Sequence, residues 1–262
     1  MKKYFFILIL LCFSCFSRDP NINDLKNAVD NPFRKDSNKI RDKYRNPNET
    51  LTFFEVSRDK KILEIVPGSG WYSEIISYFM KNTNNFSVAI YDKPPVKILN
   101  KIQENFINYF KSNENNFGEI NVIKINEDYG INDRHEKYDI VLTFRNTHNW
   151  LDSGNAKKLF KSINKVLKPG GLLGVVQHRA NENSDFNFKK GYVKESYLIN
   201  LIENQGFKLS EKNEINSNPR DLKNYKKGVW TLPPRLVEGE NNKALYLEIG
   251  ESDRMTLKFI KE

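Results

Sequence analysis

The sequence predicts an α/β domain built on a seven-stranded, mostly parallel sheet with helices on both faces. Three observations predict it. Short apolar runs of β-forming residues alternate with stretches of helical periodicity from residue 61 to residue 209, the pattern of successive βαβ units. The stretch Lys61-Ile62-Leu63-Glu64-Ile65-Val66-Pro67-Gly68-Ser69-Gly70-Trp71-Tyr72 passes from strand through a tight glycine loop straight into a helix, as nucleotide-binding α/β folds begin. Near the end of the chain Met255, Leu257 and Phe259 alternate with Thr256 and Lys258, predicting a half-exposed final strand.

The elements follow in order. Lys2 and Lys3 precede an apolar run over residues 4–11, extended by Cys12, Phe13, Cys15 and Phe16 and closed by Arg18-Asp19-Pro20. This is the layout of a secretory signal over residues 1–18, too short to span a bilayer, which takes about 20 apolar residues. Cys15 after Ser14 resembles a lipoprotein attachment site. Both cysteines lie in this segment, so the remaining chain is expected to have no disulfide, thiol nucleophile or cysteine metal site. Residues 19–60 read as a charged, Asn-rich cap or strap in which Arg34, Arg41 and Arg45 recur, with a short helix over residues 49–56. Residues 61–262 form the main domain.

Within it, Tyr72, Ile75, Ile76, Phe79 and Met80 fall at helical spacing. Strands are predicted over residues 86–92, 121–125, 138–144, 172–176 and from Phe207, and helices over residues 96–110, 152–167 and 192–205. Asp152-Ser153 is expected to cap the middle helix, and Lys168-Pro169-Gly170-Gly171 to stop it and turn the chain.

The formal net charge of +9 is spread over many lysines, with no basic run dense or aromatic enough to read as a nucleic-acid arm. No nucleic-acid partner is expected, and membrane contact is expected only through an N-terminal lipid anchor.

Glu64 ends an otherwise apolar strand, where an unpaired carboxylate is costly to bury, so it is expected to face a ligand crevice. The acid-x-x-x-Gly-x-Gly run of Glu64, Gly68 and Gly70 resembles the cofactor motif of the class I S-adenosylmethionine (SAM)-dependent methyltransferases, with Val66 where that pattern often has glycine and Ser73 where a dinucleotide fingerprint has its third glycine. Leu167-Lys168-Pro169-Gly170-Gly171 before a strand resembles the same family. The resemblance implies a Rossmann-like sheet and SAM as cofactor, with Glu64 beside its methionine end and the glycines passing under it. Asp92, about 20 residues past the loop, stands where an acid takes the ribose hydroxyls of a nucleotide cofactor; the plainer reading is a turn residue ahead of Pro94-Pro95. The resemblance also implies that Asp128 contacts the adenine amino group; the plainer reading is an ordinary loop acid. An NAD-dependent oxidoreductase fits the loop less well, because it leaves Glu64 and the Leu-Lys-Pro-Gly-Gly turn unexplained.

Ligands of open α/β sheets bind beyond the carboxyl ends of the strands. Two stretches run out there: Arg145-Asn146-Thr147-His148-Asn149-Trp150 and Gln177-His178-Arg179. If their strands are neighbours, His148 and His178 face one crevice. A neutral histidine there suits proton abstraction from a nucleophile, and Arg145 or Arg179 suits an anionic substrate; structural hydrogen-bonded histidines are the alternative. No metal site is expected, because the spacing of His148, His178, Glu182 and Asp185 fits no ligand motif.

From Glu64 to Tyr72, through Leu142-Thr143-Phe144-Arg145-Asn146-Thr147-His148-Asn149-Trp150, and from Leu167 to Arg179, most of the chain resembles predicted bacterial methyltransferases that often carry signal peptides. That resemblance rests also on Gly228-Val229-Trp230-Thr231-Leu232-Pro233-Pro234 and Gly250-Glu251-Ser252-Asp253-Arg254-Met255, with Trp230, Arg235 and Arg254 expected to line a pocket. It implies methyl transfer by an exported protein, periplasmic or membrane-anchored, to a nucleophile that the resembled group leaves undefined, a small molecule being one candidate; the alternative is an exported, non-catalytic binding protein on the same scaffold.

Overall fold

A computed structural model describes residues 25–185 and 187–262. The signal segment, both cysteines and the Cys15 attachment site lie outside the described residues. Four short helices lead in: α1 (Leu25–Val29), α2 (Asp36–Lys39), α3 (Asp42–Arg45) and α4 (Pro47–Phe53). Pro47 opens α4 at a position whose N–H would have no helical partner, so the helix begins two residues before the expected start.

The main domain then alternates. β1 (Ile62–Ile65), α5 (Ser73–Phe79), β2 (Phe86–Tyr91), α6 (Lys97–Ser112), α7 (Glu114–Phe117), β3 (Asn121–Ile125) and β4 (Tyr138–Phe144) make the first half. α8 (Thr147–Asp152), α9 (Ala156–Val166), β5 (Leu167–His178), α10 (Glu195–Glu203), β6 (Phe207–Asn213), α11 (Lys243–Ile249) and β7 (Arg254–Lys261) complete it. The seven strands form one sheet in the order β3-β2-β1-β4-β5-β7-β6. The pairs from β3 through β5 are parallel, and β7 runs antiparallel to both β5 and β6. The sheet is therefore mostly parallel, as predicted.

Period-2 alternation sorts the strand residues onto two cores. Leu63, Ile65, Ala89, Val141, Leu173, Val175, Met255, Leu257 and Phe259 pack on one face with α9 and α10. Ile62, Val88, Ile140, Leu142, Leu172 and Val176 pack on the other with α4, α5 and α6. Glu64 has the parity of Ile62, so its side chain points at the α5 face.

Three expectations are corrected. The final strand is not half exposed: β7 lies between β5 and β6, so Thr256 and Lys258 are buried too, Lys258 paired with Glu55 and Glu211. Asp152-Ser153 ends α8 rather than capping a helix; Gly154, left-handed at φ 73°, separates α8 from α9, whose N-cap is Asn155. Residues 168–171 do not precede β5 but bulge within it, since pairing jumps from Tyr138–Leu167 to Ile140–Leu172.

Candidate active site

The strand order reverses between β1 and β4, and the crevice beyond their carboxyl ends is where this architecture binds ligands. A pocket of about 360 Å³ opens there. Its floor comes from the loop after β1, with Val66, Pro67, Gly68 and Ser69, and from the loop and helix after β4, with Phe144, Arg145, Asn146, His148 and Asn149. His178 at the end of β5, Arg41 and Trp71, Trp230 with Pro233, Pro234 and Arg235, and Glu251 and Ser252 close the sides.

The two loops share a backbone device. Val66 and Arg145, each just past the end of its strand, both take left-handed conformations, φ 50° and 63°. That conformation costs a residue bearing a Cβ about 1–2 kcal/mol, and such strain gathers at functional sites. Position 66, where the resembled motif often has glycine, thus keeps a backbone that glycine would adopt freely. Asn146 ties the loops together by donating from Nδ2 to the Ile65 and Val66 carbonyls at 3.1 and 3.0 Å.

The glycines divide their roles. A Cβ on Gly68 (φ 62°) would meet nothing within 4 Å, so open space lies above that turn. A Cβ on Gly70 (φ 85°) would come within 2.7 Å of Phe110 and 3.1 Å of Phe106. Gly70 therefore serves packing against α6, and it does not line the pocket.

Glu64 is 2% exposed and also stays out of the pocket. Its carboxylate accepts the Ser73 hydroxyl at 2.6 Å, which gives Ser73 its function at the start of α5. Burial pushes the Glu64 carboxyl up to about 7, against the opposing effects of that hydrogen bond and of Arg145. Asp92 follows β2 and Asp128 lies in the turn after β3; both are exposed, and neither lines the pocket.

His148 and His178 do come together, their ring centroids 5.6 Å apart. Gln177 donates from Nε2 to the Gly191 carbonyl at 2.9 Å, and the same nitrogen lies 3.2 Å from His148 Nδ1. The carbonyl can only accept, so Nδ1 accepts too, and His148 carries its proton on Nε2. Burial lowers the His148 imidazolium pKa to about 4, with Arg145 adding to the effect. His178 Nδ1 lies 2.6 Å from the Ser252 hydroxyl. Burial, then the neighbouring His148 and Arg145, hold its pKa well below the ordinary value. Both rings are neutral at physiological pH. Arg179 is outside the pocket, tied to Asp253, Glu195 and Glu214. Glu182, weighed as a metal ligand, accepts the Ser196 N–H and hydroxyl instead.

Residues that sequence reasoning did not assign complete the wall. Glu251 accepts Arg41 Nε at 2.6 Å, Arg45 Nε at 3.0 Å and Arg254 Nη1 at 3.2 Å. The signals were the recurring arginines of the strap and the 250–255 stretch. Arg254, expected as lining, stands behind Glu251, whereas Trp230 and Arg235 do line the pocket.

No family model matches this sequence, and no curated protein matches it. Solved structures do. A SAM-dependent methyltransferase from Aquifex aeolicus superposes with a TM-score of 0.57 at 13% identity, over 92% of this chain and 98% of that one. The [4+2]-cyclase SpnF gives 0.58 at 12% identity, over 83% and 80%. A SAM-dependent methyltransferase from Methanosarcina mazei gives 0.52 at 14% identity, over 80% and 96%. At these identities the likeness establishes the fold alone: this chain has the Rossmann-like α/β fold of the class I SAM-dependent methyltransferases.

Proposed function

We propose that the protein is a SAM-dependent methyltransferase acting on a small-molecule nucleophile. The observation that carries this reading is the position of the pocket, at the β1/β4 switch point over the Gly68 turn of a methyltransferase scaffold. The loop at Gly68 leaves room for the cofactor. Open space lies above Gly68, and Asp92 stands beyond β2 with no hydrogen bond or ion pair to its carboxylate among the described residues. Gly68 and the loop backbone would hold the methionine end, Asp92 the ribose and Asp128 the adenine amino group. Glu64 and Gly70 would act from beneath, fixing the loop against α5 and α6. When bound, SAM supplies an electrophilic sulfonium methyl open to in-line attack.

With Nδ1 donating to the Ser252 hydroxyl, His178 presents a free Nε2 lone pair that would take the proton of the nucleophile. His148 would donate its Nε2–H to the acceptor and orient it. Arg145 would face a negative charge on that acceptor. The charged start and apolar run would carry the protein out of the cytoplasm or anchor it by the N-terminus.

A second reading, a binding protein on this scaffold, is favoured by one observation: Asp92 and Asp128 do not reach the pocket wall. Calorimetric titration with SAM and S-adenosylhomocysteine tests both. Micromolar binding that weakens in Asp92→Ala supports the enzyme; no heat from the folded protein refutes it.

A further inference from the structure

Four guanidinium groups crowd the strap side of the pocket around one carboxylate. Arg41, Arg45 and Arg254 all donate to Glu251, which is itself buried. Arg145 lines the same pocket as Arg41 and Glu251; the Glu251 charge supports its cation, while Arg254 and Arg41 oppose it. The cluster thus carries an excess of three positive charges. Arg254 pairs with Glu251 within the same stretch and reaches the strap by donating to the Tyr44 carbonyl at 2.6 Å, as well as donating to the Ser252 carbonyl.

The surplus is not satisfied within the protein. Nη1 and Nη2 of Arg45, whose side chain is 1% exposed, and Nη2 of Arg41 are buried with no hydrogen-bond partner. The Arg145 guanidinium makes no hydrogen bond or ion pair among the described residues. Leaving charged donors buried and unpaired is among the costliest arrangements a fold can hold. Arg45 rests on the Trp71 ring, 4.7 Å from its centroid, which fixes the plane of its fork without using its N–H groups. Planar forks of this kind match carboxylate and phosphate oxygens two at a time.

We propose that Arg41 and Arg145, backed by Arg45 and Arg254, form a subsite for a carboxylate or phosphate group of the molecule bound in the pocket. This rests on the pocket being the ligand site, as in the methyltransferase reading, and deepens it: the ligand is an anion. Two sources share that chemistry, the amino-acid carboxylate of SAM and an acidic methyl acceptor. The neighbouring residues suit an anion from either. Trp71, Phe144 and Trp230 supply apolar walls, and Glu251, the carboxylate at the pocket edge, is neutralised by its three arginines.

The test uses the full-length protein with inorganic phosphate, SAM and decarboxylated SAM as probes, at constant ionic strength set with chloride. Wild type, Arg41→Gln and Arg145→Gln are compared by thermal shift and calorimetry; Arg41 is partly exposed, so its variant folds even if the other does not. Phosphate that stabilises wild type, with affinity falling about tenfold or more in either variant, supports the subsite. If SAM then weakens in the variants while decarboxylated SAM does not, the anion is the cofactor's carboxylate. If both bind wild type and variants alike, and phosphate binds alongside SAM, the anion belongs to the acceptor. Phosphate binding without SAM binding leaves the subsite standing and removes the methyltransferase reading. SAM binding with no phosphate effect, unchanged in both variants, overturns the subsite and leaves the enzyme reading intact.

Discussion

Glu64 ties the stability of the domain to pH in a way its neighbours do not. An ordinary glutamate titrates near 4.5, and burial moves this one to about 7 in the folded protein. The folded state therefore holds a proton between those values that the unfolded chain has released. Stability from this group is full below pH 4.5, declines as pH rises from 4.5 to 7, and is lost above 7. The displacement corresponds to about 3 kcal/mol for a carboxylate this deeply buried. Glu64→Gln keeps an acceptor for Ser73 and removes the titration. Urea unfolding of wild type and Glu64→Gln at pH 4 and pH 8 isolates the effect, because the other titrating groups are common to both proteins. The advantage of the variant should grow by about 3 kcal/mol between the two pH values, roughly 1 M or more in urea midpoint. Parallel pH dependences in the two proteins would refute the buried carboxyl and, with it, the account of why Ser73 opens α5.

Other predictions follow from the same geometry. Gly70→Ala should destabilise by about 2–4 kcal/mol in denaturant melts, combining left-handed strain with overpacking against Phe110 and Phe106. Gly68→Ala should cost only the strain, about 1 kcal/mol, yet weaken SAM in calorimetry by far more than its stability loss, since its methyl group projects into open space above the loop. In NMR titrations the ring protons of His148 should keep neutral-imidazole shifts down to about pH 5, because burial lowers its pKa to about 4, and those of His178 should titrate well below the ordinary histidine range for the same reason. Gln177→Ala should free His148 Nδ1, and a changed Nδ1/Nε2 tautomer ratio in nitrogen spectra would report it.

The sheet was legible because each strand carries its own pattern. Residues 121–125 and 138–144 read as strands from composition alone and are strands to the residue. Helix α8 was not legible: six residues give too little periodicity, and Arg145 enters it through a left-handed turn that no residue type announces. Burial of β7 was hidden for another reason. Thr256 and Lys258 look solvent-facing until β6 covers that edge and Glu55 and Glu211 meet the lysine.

The site divides along the same line. His148 and His178 could be paired from sequence because His178 ends β5 and His148 follows β4 by only four residues, and neighbouring parallel strands bring their ends together. The arginine cluster could not. Its members join residues 206 and 210 positions apart, and the contact exists only because β7 returns antiparallel beside β5, carrying Glu251 and Arg254 back to the strap. Local pattern marks the strands, whereas the charge of the pocket is set by β7, which inserts between β5 and β6 and runs antiparallel to both. The recurring arginines of the strap and the acid of Gly250-Glu251-Ser252 were each visible in the sequence. Only the return of β7 makes them one electrostatic unit, so shortening the β6–β7 connection should perturb anion affinity before it perturbs the parallel half of the sheet.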